Sequence, residues 1–358
     1  MGEHPPGPAV PTGQDGSSRE SSNGQQEATA ARTVEIRLTY PRDWQCATPA
    51  SADFDANPQT ESWLRSLRIF SSREENGRYV QWADPGRWAR DAFPLAPPER
   101  NLIISKIFAM ATTHDDRLEN VGIHEEVIES YGQAIMAESD RPSTFDDPYS
   151  VGWWEIGQEL LRDEISFTWR RRFAQHITVW YRGFNDEIAL LHRSGRHPTE
   201  DDYMTLRHKN SGMVWWIDLA ELSLGRTLPG PVVGSNPLFR RLCHLDREIE
   251  LLYNDLYSAE KDSRDRLPNL ISIISRQNGC PMAEAARLIA HRHATVLRKI
   301  QDVELDLRAG TPEIGWWLDA FRHYVPGTDL PHADVGRFGQ LQHLEDGGEI
   351  RVIPQWAD

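Results

Sequence analysis

The stretch from position 236 to position 263 reads NPLFRRLCHLDREIELLYNDLYSAEKDS and carries two patterns at once. Apolar residues recur at intervals of three and four, the spacing of one helix face: Leu242, Leu245, Ile249, Leu252 and Leu256. A second column, at i, i+4 and i+8, consists of Asn254, Ser258 and Asp262. The segment is therefore predicted to be a long helix with an apolar side and an oxygen-bearing side.

This oxygen-bearing column has two interpretations. Its outer Cα atoms are about 12 Å apart, so a metal ion shared by all three residues would lie above the short Ser258 side chain. Alternatively the column faces water, because it lies opposite the apolar stripe and many surface helices are divided in this way. Metal binding requires the helix to be packed on one side and to open onto a polar cavity mouth on the other.

The rest of the chain is mostly helical in pattern. Pro, Gly, Asp and Asn separate further predicted helices at 59–71, 98–113, 121–138, 152–192, 199–225 (interrupted), 267–277, 281–308 and 313–324. We find a short extended stretch at 34–38 and no internal repeat, which favours a compact bundle over a solenoid. The prediction is an all-α fold, a single bundle over 33–326, with a disordered polar tail at 1–32 and a C-terminal tail at 327–358.

The charge and the cysteines exclude several classes of function. The chain carries 39 Lys and Arg against 54 Asp and Glu, a formal net charge of −15, and its basic residues are scattered, which argues against nucleic acid as a partner. A polyanionic ligand would then need divalent cations to invert the local charge. Three isolated cysteines indicate neither disulfides nor zinc. With no signal peptide pattern and no apolar run long enough for a membrane span, a cytoplasmic location is expected.

A second group of carboxylates ends an apolar stripe. In the helix that contains Asn101-Leu102-Ile103-Ile104, one face is formed at intervals of three and four by Ile104, Phe108, Ala111, Asp115 and Glu119, so the stripe turns acidic halfway along. Carboxylates aimed toward a core are costly unless they are paired or bind metal, and Mg²⁺ prefers such oxygen ligands. The alternative is a helix that simply ends here. The similar pair Asp146-Asp147 precedes Pro148 and is interpreted as a loop.

Together the two oxygen-rich runs resemble the paired metal motifs of class I terpene synthases, Asp-Asp-x-x-Asp/Glu and Asn-Asp-x-x-Ser-x-x-x-Glu/Asp. The resemblance implies a bundle with a central active-site cavity, and three Mg²⁺ ions held at its mouth. It implies that these ions are bound from one side by Asp115, Asp116 and Glu119, and from the other by Asn254, Ser258 and Asp262. In the family the second carboxylate, here Asp116, more often serves a neighbouring arginine.

Two further segments are similar to diphosphate-binding parts of these enzymes. Residues 203–212, YMTLRHKNSG, resemble the segment in which an arginine senses the diphosphate before a helix break. This implies Arg207 as the sensor, Asn210 as the linker and Ser211 as the effector whose carbonyl approaches the substrate. Lys261 precedes the last metal ligand and is expected to contact the diphosphate. Arg322-His323-Tyr324 is similar to a late Arg-Tyr pair, which implies diphosphate contacts from Arg322 and Tyr324.

The implied function is Mg²⁺-dependent ionisation of an isoprenyl diphosphate, followed by cyclisation of the carbocation. Farnesyl diphosphate is the first expected substrate and geranylgeranyl diphosphate the second. Among 13 Trp and 11 Phe, Phe108 and Trp316 are the aromatics expected to stabilise the cation, with plain core packing as the alternative. A chain-elongating prenyltransferase and a catalytically inactive helical scaffold are the competing interpretations. A homodimer is one of the oligomeric states that the sequence allows.

Overall fold

A computed structural model describes residues 33–46, 48–118, 122–138, 147–195 and 197–357. The predicted disordered tail at 1–32 lies outside the described residues. The helices are α1 (Asn57–Leu67), α2 (Arg73–Ala83), α3 (Pro85–Ala92), α4 (Pro98–Leu118), α5 (Glu125–Met136), α6 (Pro148–Arg162), α7 (Phe167–Ser194), α8 (Glu200–Asn210), α9 (Met213–Trp216), α10 (Leu219–Leu224), α11 (Gly230–Ser235), α12 (Pro237–Asp265), α13 (Leu270–Asn278), α14 (Met282–Gly310) and α15 (Gly315–Asp334). The strands are β1 (Val34–Tyr40), β2 (Leu341–His343) and β3 (Glu349–Trp356).

The all-α prediction is confirmed, and α4 and α12 are the helices that organise the bundle. Nearly every residue of α4 from Asn101 to His114 is buried, so this helix runs through the core. The longer α12 contacts α8, α9, α13, α14 and α15. Its start is fixed because the Asn236 side chain accepts hydrogen bonds from the backbone N–H groups of Leu238 and Phe239, and Pro237 occupies the first helical position.

The predicted extended stretch at 34–38 is strand β1. It pairs in parallel with β3, with Val34 opposite Ile350 and Tyr40 opposite Trp356, and β2 lies antiparallel on the other side of β3. Ile350 and Val352 of β3 are fully buried, so this three-stranded sheet is part of the core. Among the described residues, no helix combines the length and the apolarity that a membrane span needs.

The predicted end of the last helix, at 324, and the domain boundary at 326 are wrong. Helix α15 continues to Asp334 with Pro326 and Pro331 inside it. An internal proline costs about 3 kcal/mol in an isolated helix, but tight packing on α3 offsets that cost. A Cβ at Gly327 would lie 2.0 Å from the Asp91 carbonyl oxygen, which shows how closely the two backbones approach. The residues after α15 form β2 and β3, not a tail.

Other helix boundaries also differ from the prediction. The single helix predicted at 152–192 is α6 and α7, which a turn with Glu164 in the left-handed region separates. Helices α2 and α3 were not predicted, although Ser72 accepts a hydrogen bond from the backbone N–H of Glu75 as an N-cap. The loop interpretation of Asp147 holds in part, because its carboxylate caps α6, while Asp146 lies outside the described residues.

Candidate active site

A cavity opens between α4, α8, α9, α12 and the segment that follows α15. Its polar lining includes Asp115, Glu187, Arg207, Asn210, Ser211, Glu250, Asn254, Ser258, Lys261, Asp262, His332 and Arg337. Its apolar lining is mostly aromatic and includes Trp88, Phe108, Trp180, Trp215, Trp216 and Phe338. The structure therefore brings Asp115 on α4 together with the Asn254, Ser258 and Asp262 column on α12. The alternative in which that column faces open solvent is wrong.

The Arg207 side chain lies beside Asn254. Its Nη2 donates a hydrogen bond to Asn254 Oδ1 over 3.1 Å, and it lies 3.9 Å from Asp255 Oδ1. Arg207 belongs to the last turn of α8, and the helix breaks directly afterwards at Ser211 and Gly212, where Gly212 has φ 85°. This left-handed conformation suits glycine, so the break has a local cause. The break exposes Ser211 and Gly212 to the cavity.

On the α8 side of this break, Arg207 and Ser211 each have a buried polar atom without a partner in the described part of the protein. The Nε of Arg207 and the hydroxyl of Ser211 are buried and have no hydrogen-bond partner among the described residues. Buried donors are normally satisfied by protein or by a ligand. An anion with several oxygens, such as a diphosphate, matches an arginine with a spare N–H group.

The first carboxylate pair of α4 is held by an arginine that the sequence analysis missed. Arg337 Nη2 donates to Asp115 Oδ2, and also to Asp116 Oδ1 over 2.9 Å. The hydroxyl of Tyr79 donates to the other oxygen of Asp116 over 3.1 Å. Asp116 is thus occupied by Arg337 and Tyr79 and does not line the cavity, whereas Asp115 does. The predicted ligand Glu119 lies outside the described residues.

Asp262 of the α12 column accepts hydrogen bonds from Ser258 of the same column and from Asn269, the N-cap residue of α13. Ser258 Oγ donates to Asp262 Oδ2 over 2.6 Å, and Asn269 Nδ2 donates to the same oxygen over 2.8 Å. Burial raises the pKa of Asp262 from its ordinary value. Lys261 lines the cavity with its Nζ 3.4 Å from Asp265 Oδ2.

Glu187 of α7 is a further acidic group at the cavity that the sequence analysis missed. Burial raises the pKa of Glu187 to about 7; Arg207 opposes this shift, and the charges of Asp115 and Asp262 add to it. Asn210 Nδ2 donates to Glu187 Oε2 over 2.9 Å. The carboxylates from three helices are therefore close enough to repel one another, and a cation at this mouth relieves that repulsion.

Two predicted diphosphate-binding residues lie elsewhere in the structure. Arg322 forms ion pairs with Glu304 (2.9 Å) and Asp43 (3.1 Å), away from the cavity. Tyr324 is fully buried, and its hydroxyl donates to Asp246 over 3.4 Å. These positions follow from α15 running past Pro326, because the Arg-His-Tyr run then lies in the first half of a long helix. The later pair Arg337-Phe338, just beyond that helix, lines the cavity. This second Arg-aromatic pair is the sequence signal that could have identified the arginine at the cavity.

Of the two predicted aromatics, Phe108 lines the cavity and Trp316 does not. Phe108 lines the cavity, stacked on Trp88 at 4.7 Å and 5.3 Å from Trp216. Trp316 does not: the guanidinium of Arg226 lies over its ring at 4.3 Å, outside the cavity. Trp316 is on the first turn of α15, which explains its distance from a cavity that lies beside the other end of that helix.

The oxygen donors at the mouth fit a hard divalent cation. A carboxylate from α4 faces an amide, a hydroxyl and a carboxylate from α12, and Mg²⁺ takes ligands of these types together with waters and phosphate oxygens. Soft thiolate ligands are not part of the described lining. The three cations Arg207, Lys261 and Arg337 on the same cavity suit a polyanionic ligand.

The chain is similar to proteins of one family. The model of terpene synthase family 2, C-terminal metal binding, matches residues 106–299. A 7-epi-alpha-eudesmol synthase of Streptomyces viridochromogenes, described as cyclising (2E,6E)-farnesyl diphosphate, is 25% identical over 260 residues, which cover 70% of this chain and 74% of that protein. A (2Z,6E)-hedycaryol synthase of Kitasatospora setae is 32% identical over 199 residues, 52% of this chain and 58% of that protein.

A solved structure shares the fold. The crystal structure of 2-methylisoborneol synthase from Streptomyces coelicolor, in complex with Mg²⁺ and 2-fluoroneryl diphosphate, superposes with a TM-score of 0.69 at 17% identity, over 79% of this chain and 92% of that one. The family model spans more than half of the sequence and includes both oxygen-rich runs. The chain therefore belongs to the terpene synthase family, and it is a terpene cyclase.

Proposed function

We propose that this cyclase ionises farnesyl diphosphate in a Mg²⁺-dependent reaction, cyclises the carbocation and releases diphosphate with a terpene hydrocarbon or alcohol. One observation carries the proposal: oxygen donors from α4 and α12 and three basic side chains line one cavity whose inner wall is aromatic. Each part is needed for this chemistry, because the leaving group is a polyanion and the intermediate is an apolar cation.

The metal ligands in this proposal are Asp115 on one side and Asn254, Ser258 and Asp262 on the other. Three Mg²⁺ ions are expected from the family resemblance, and when bound they supply positive charge that stabilises the departing diphosphate. Arg207, Lys261 and Arg337 donate hydrogen bonds to diphosphate oxygens from fixed positions, which is electrostatic catalysis by preorganised groups. Asp116 orients Arg337 and is not assigned as a ligand.

The aromatic wall folds and protects the cation. Phe108, Trp88 and Trp216 contact one another, so their rings form a continuous surface on one side of the cavity. A desolvated cation over such a ring gains about 2 kcal/mol. The same surface excludes the water that would quench the cation early.

Farnesyl diphosphate is chosen because the eudesmol synthase relative is described as acting on it. Geranylgeranyl diphosphate is the second candidate. Chain elongation is the alternative activity; it would use a second aspartate-rich motif, and the corresponding position here holds the Asn254, Ser258 and Asp262 column.

The test is gas chromatography with mass spectrometry after incubation with C10, C15 and C20 isoprenyl diphosphates. We expect a cyclic C15 product with Mg²⁺ and none after addition of EDTA. Isopentenyl diphosphate in a parallel reaction should leave the product unchanged. Turnover in excess EDTA, or a longer prenyl diphosphate formed with isopentenyl diphosphate, would contradict the proposal.

A further inference from the structure

His332 on α15 contacts the side chain of Asn254. Its Nε2 lies 3.2 Å from Asn254 Nδ2, and its Nδ1 lies 2.9 Å from the carbonyl oxygen of Thr328. A carbonyl oxygen can only accept, so Nδ1 must carry the hydrogen of this bond. In a neutral imidazole the other nitrogen is then an acceptor. Nε2 of His332 therefore accepts a hydrogen bond from the Asn254 amide.

The contact of the Asn254 amide with Arg207 requires the same orientation of that amide. Arg207 Nη2 lies 3.1 Å from Asn254 Oδ1, and a guanidinium has no acceptor. The oxygen of Asn254 must therefore face Arg207, and its nitrogen must face His332. If the amide were rotated by 180°, a donor would face Arg207 and an acceptor would face the lone pair of His332. Both neighbours disfavour that state.

The imidazole itself is held in place. His332 is only 4% exposed, and its ring packs against Trp88 (4.6 Å), Tyr253 (5.1 Å) and Phe338 (4.5 Å) between ring centroids. An acceptor that cannot rotate fixes the direction of the group that donates to it.

We propose that His332 is the positioning residue for Asn254: it holds the amide so that Oδ1, which has a second lone pair beyond the one used by Arg207, is presented to Mg²⁺. The inference rests on the proposed function, since it assumes that Asn254 is a metal ligand. Groups that orient metal ligands in this way typically change metal affinity by about 10- to 100-fold when they are removed.

The experiment compares His332→Phe, which keeps an aromatic ring without an acceptor, with His332→Gln, whose amide oxygen can accept from Asn254. The readout is the Mg²⁺ concentration that gives half of the maximal thermal stabilisation at a fixed concentration of inorganic diphosphate. We expect this concentration to rise at least about 10-fold for His332→Phe and to return to within about threefold of wild type for His332→Gln. His332→Leu also lacks the acceptor and should match His332→Phe, so the comparison does not depend on how one side chain packs.

The matched control is His293→Phe. His293 is also buried and interacts with the Tyr40 hydroxyl at 3.1 Å, and it is not one of the residues that line the cavity. Its replacement should lower the melting temperature without Mg²⁺ and leave the half-saturating Mg²⁺ concentration unchanged. A role for His332 in stability alone would give the same result for both histidines and would overturn the inference.

A double-mutant cycle isolates the contact. In an Asn254→Ala background, His332→Phe should cause no further rise in the half-saturating Mg²⁺ concentration, because its target is gone. Additive effects would overturn the inference while leaving the proposed function intact. If diphosphate and Mg²⁺ failed to stabilise the wild-type protein at all, the proposed function and the inference would both fail.

Discussion

Arg207 donates a hydrogen bond to Asn254 over 3.1 Å, which joins the helix break after α8 to the oxygen-bearing column of α12. Both residues line the cavity that Asp115 enters from α4. Two sequence motifs and the arginine between them thus meet at one place, although each could be read as an ordinary surface feature. Replacement of each member of this arrangement should have a distinct effect.

Asn254→Ala should reduce turnover of farnesyl diphosphate by at least about 100-fold, because it removes a proposed metal ligand and the acceptor of Arg207. The free energy of unfolding should change by less than about 1.5 kcal/mol, since the side chain is only half-buried. Steady-state kinetics and denaturant unfolding measure the two effects. Asn278→Ala, at an exposed position of α13, is the matched control and should change neither. Wild-type turnover by Asn254→Ala would remove Asn254 from the mechanism.

Arg337→Ala and Arg322→Ala distinguish the arginine that the structure puts at the cavity from the one that the sequence indicated. Loss of Arg337 removes a donor to Asp115 and Asp116 and a proposed diphosphate contact, so kcat/KM should fall by about 100-fold or more. Loss of Arg322 breaks its pair with Glu304, which Arg308 also contacts, and should lower the melting temperature only. If Arg322→Ala lost as much activity per folded molecule as Arg337→Ala, the sequence-based assignment of Arg322 to the diphosphate would be supported instead.

Phe108→Leu and Trp316→Leu separate the two aromatics in the same way. Phe108 lies in the cavity wall, so its loss should lower the rate and change the ratio of products that share the C15 skeleton. Trp316 packs under Arg226, and its loss should leave the product ratio unchanged. Gas chromatography of the product mixture provides the measurement. A shifted ratio for Trp316→Leu, or an unchanged one for Phe108→Leu, would place the wall elsewhere.

Asp246 makes stability depend on pH. Burial raises the pKa of this carboxyl well above its value of about 3.9 in an unfolded chain. Above about pH 4 the folded protein therefore binds more protons than the unfolded chain, so this group's contribution to the free energy of unfolding decreases as pH rises. Asp246→Asn removes this pH dependence, which changes the free energy of unfolding by at most about 1.4 kcal/mol per pH unit.

Denaturant unfolding at pH 5, 6.5 and 8 tests this expectation. Relative to wild type, the free energy of unfolding of Asp246→Asn should become larger at each step, so the variant gains relative stability as pH rises. A constant difference between the two proteins across the series would show that Asp246 titrates normally. Turnover is not the readout, because the Asp246 side chain does not line the cavity.

The two oxygen-rich runs could be placed on helices from the sequence because both signals are local. The period of the apolar residues puts Asp115 and the α12 column on defined helix faces, and the spacing of oxygen-bearing side chains limits what those faces bind. Which way the α12 column faces could not be predicted, since that depends on helices far away in the chain.

The errors have tertiary causes. Pro326 predicted a helix end, yet α15 continues because Gly327 allows it to pack directly against the backbone of α3. That extension displaces the Arg322 and Tyr324 run from the cavity and brings Arg337 to it. Glu187 gave no signal, because a single glutamate on a long helix usually faces water.

The decisive measurement is a crystal structure of the protein with Mg²⁺ and inorganic diphosphate. We expect diphosphate in the cavity with hydrogen bonds from Arg207, Lys261 and Arg337, and metal density on Asp115 and on the Asn254, Ser258 and Asp262 column. Diphosphate bound elsewhere, or metal ions that contact only one of the two helices, would contradict this expectation.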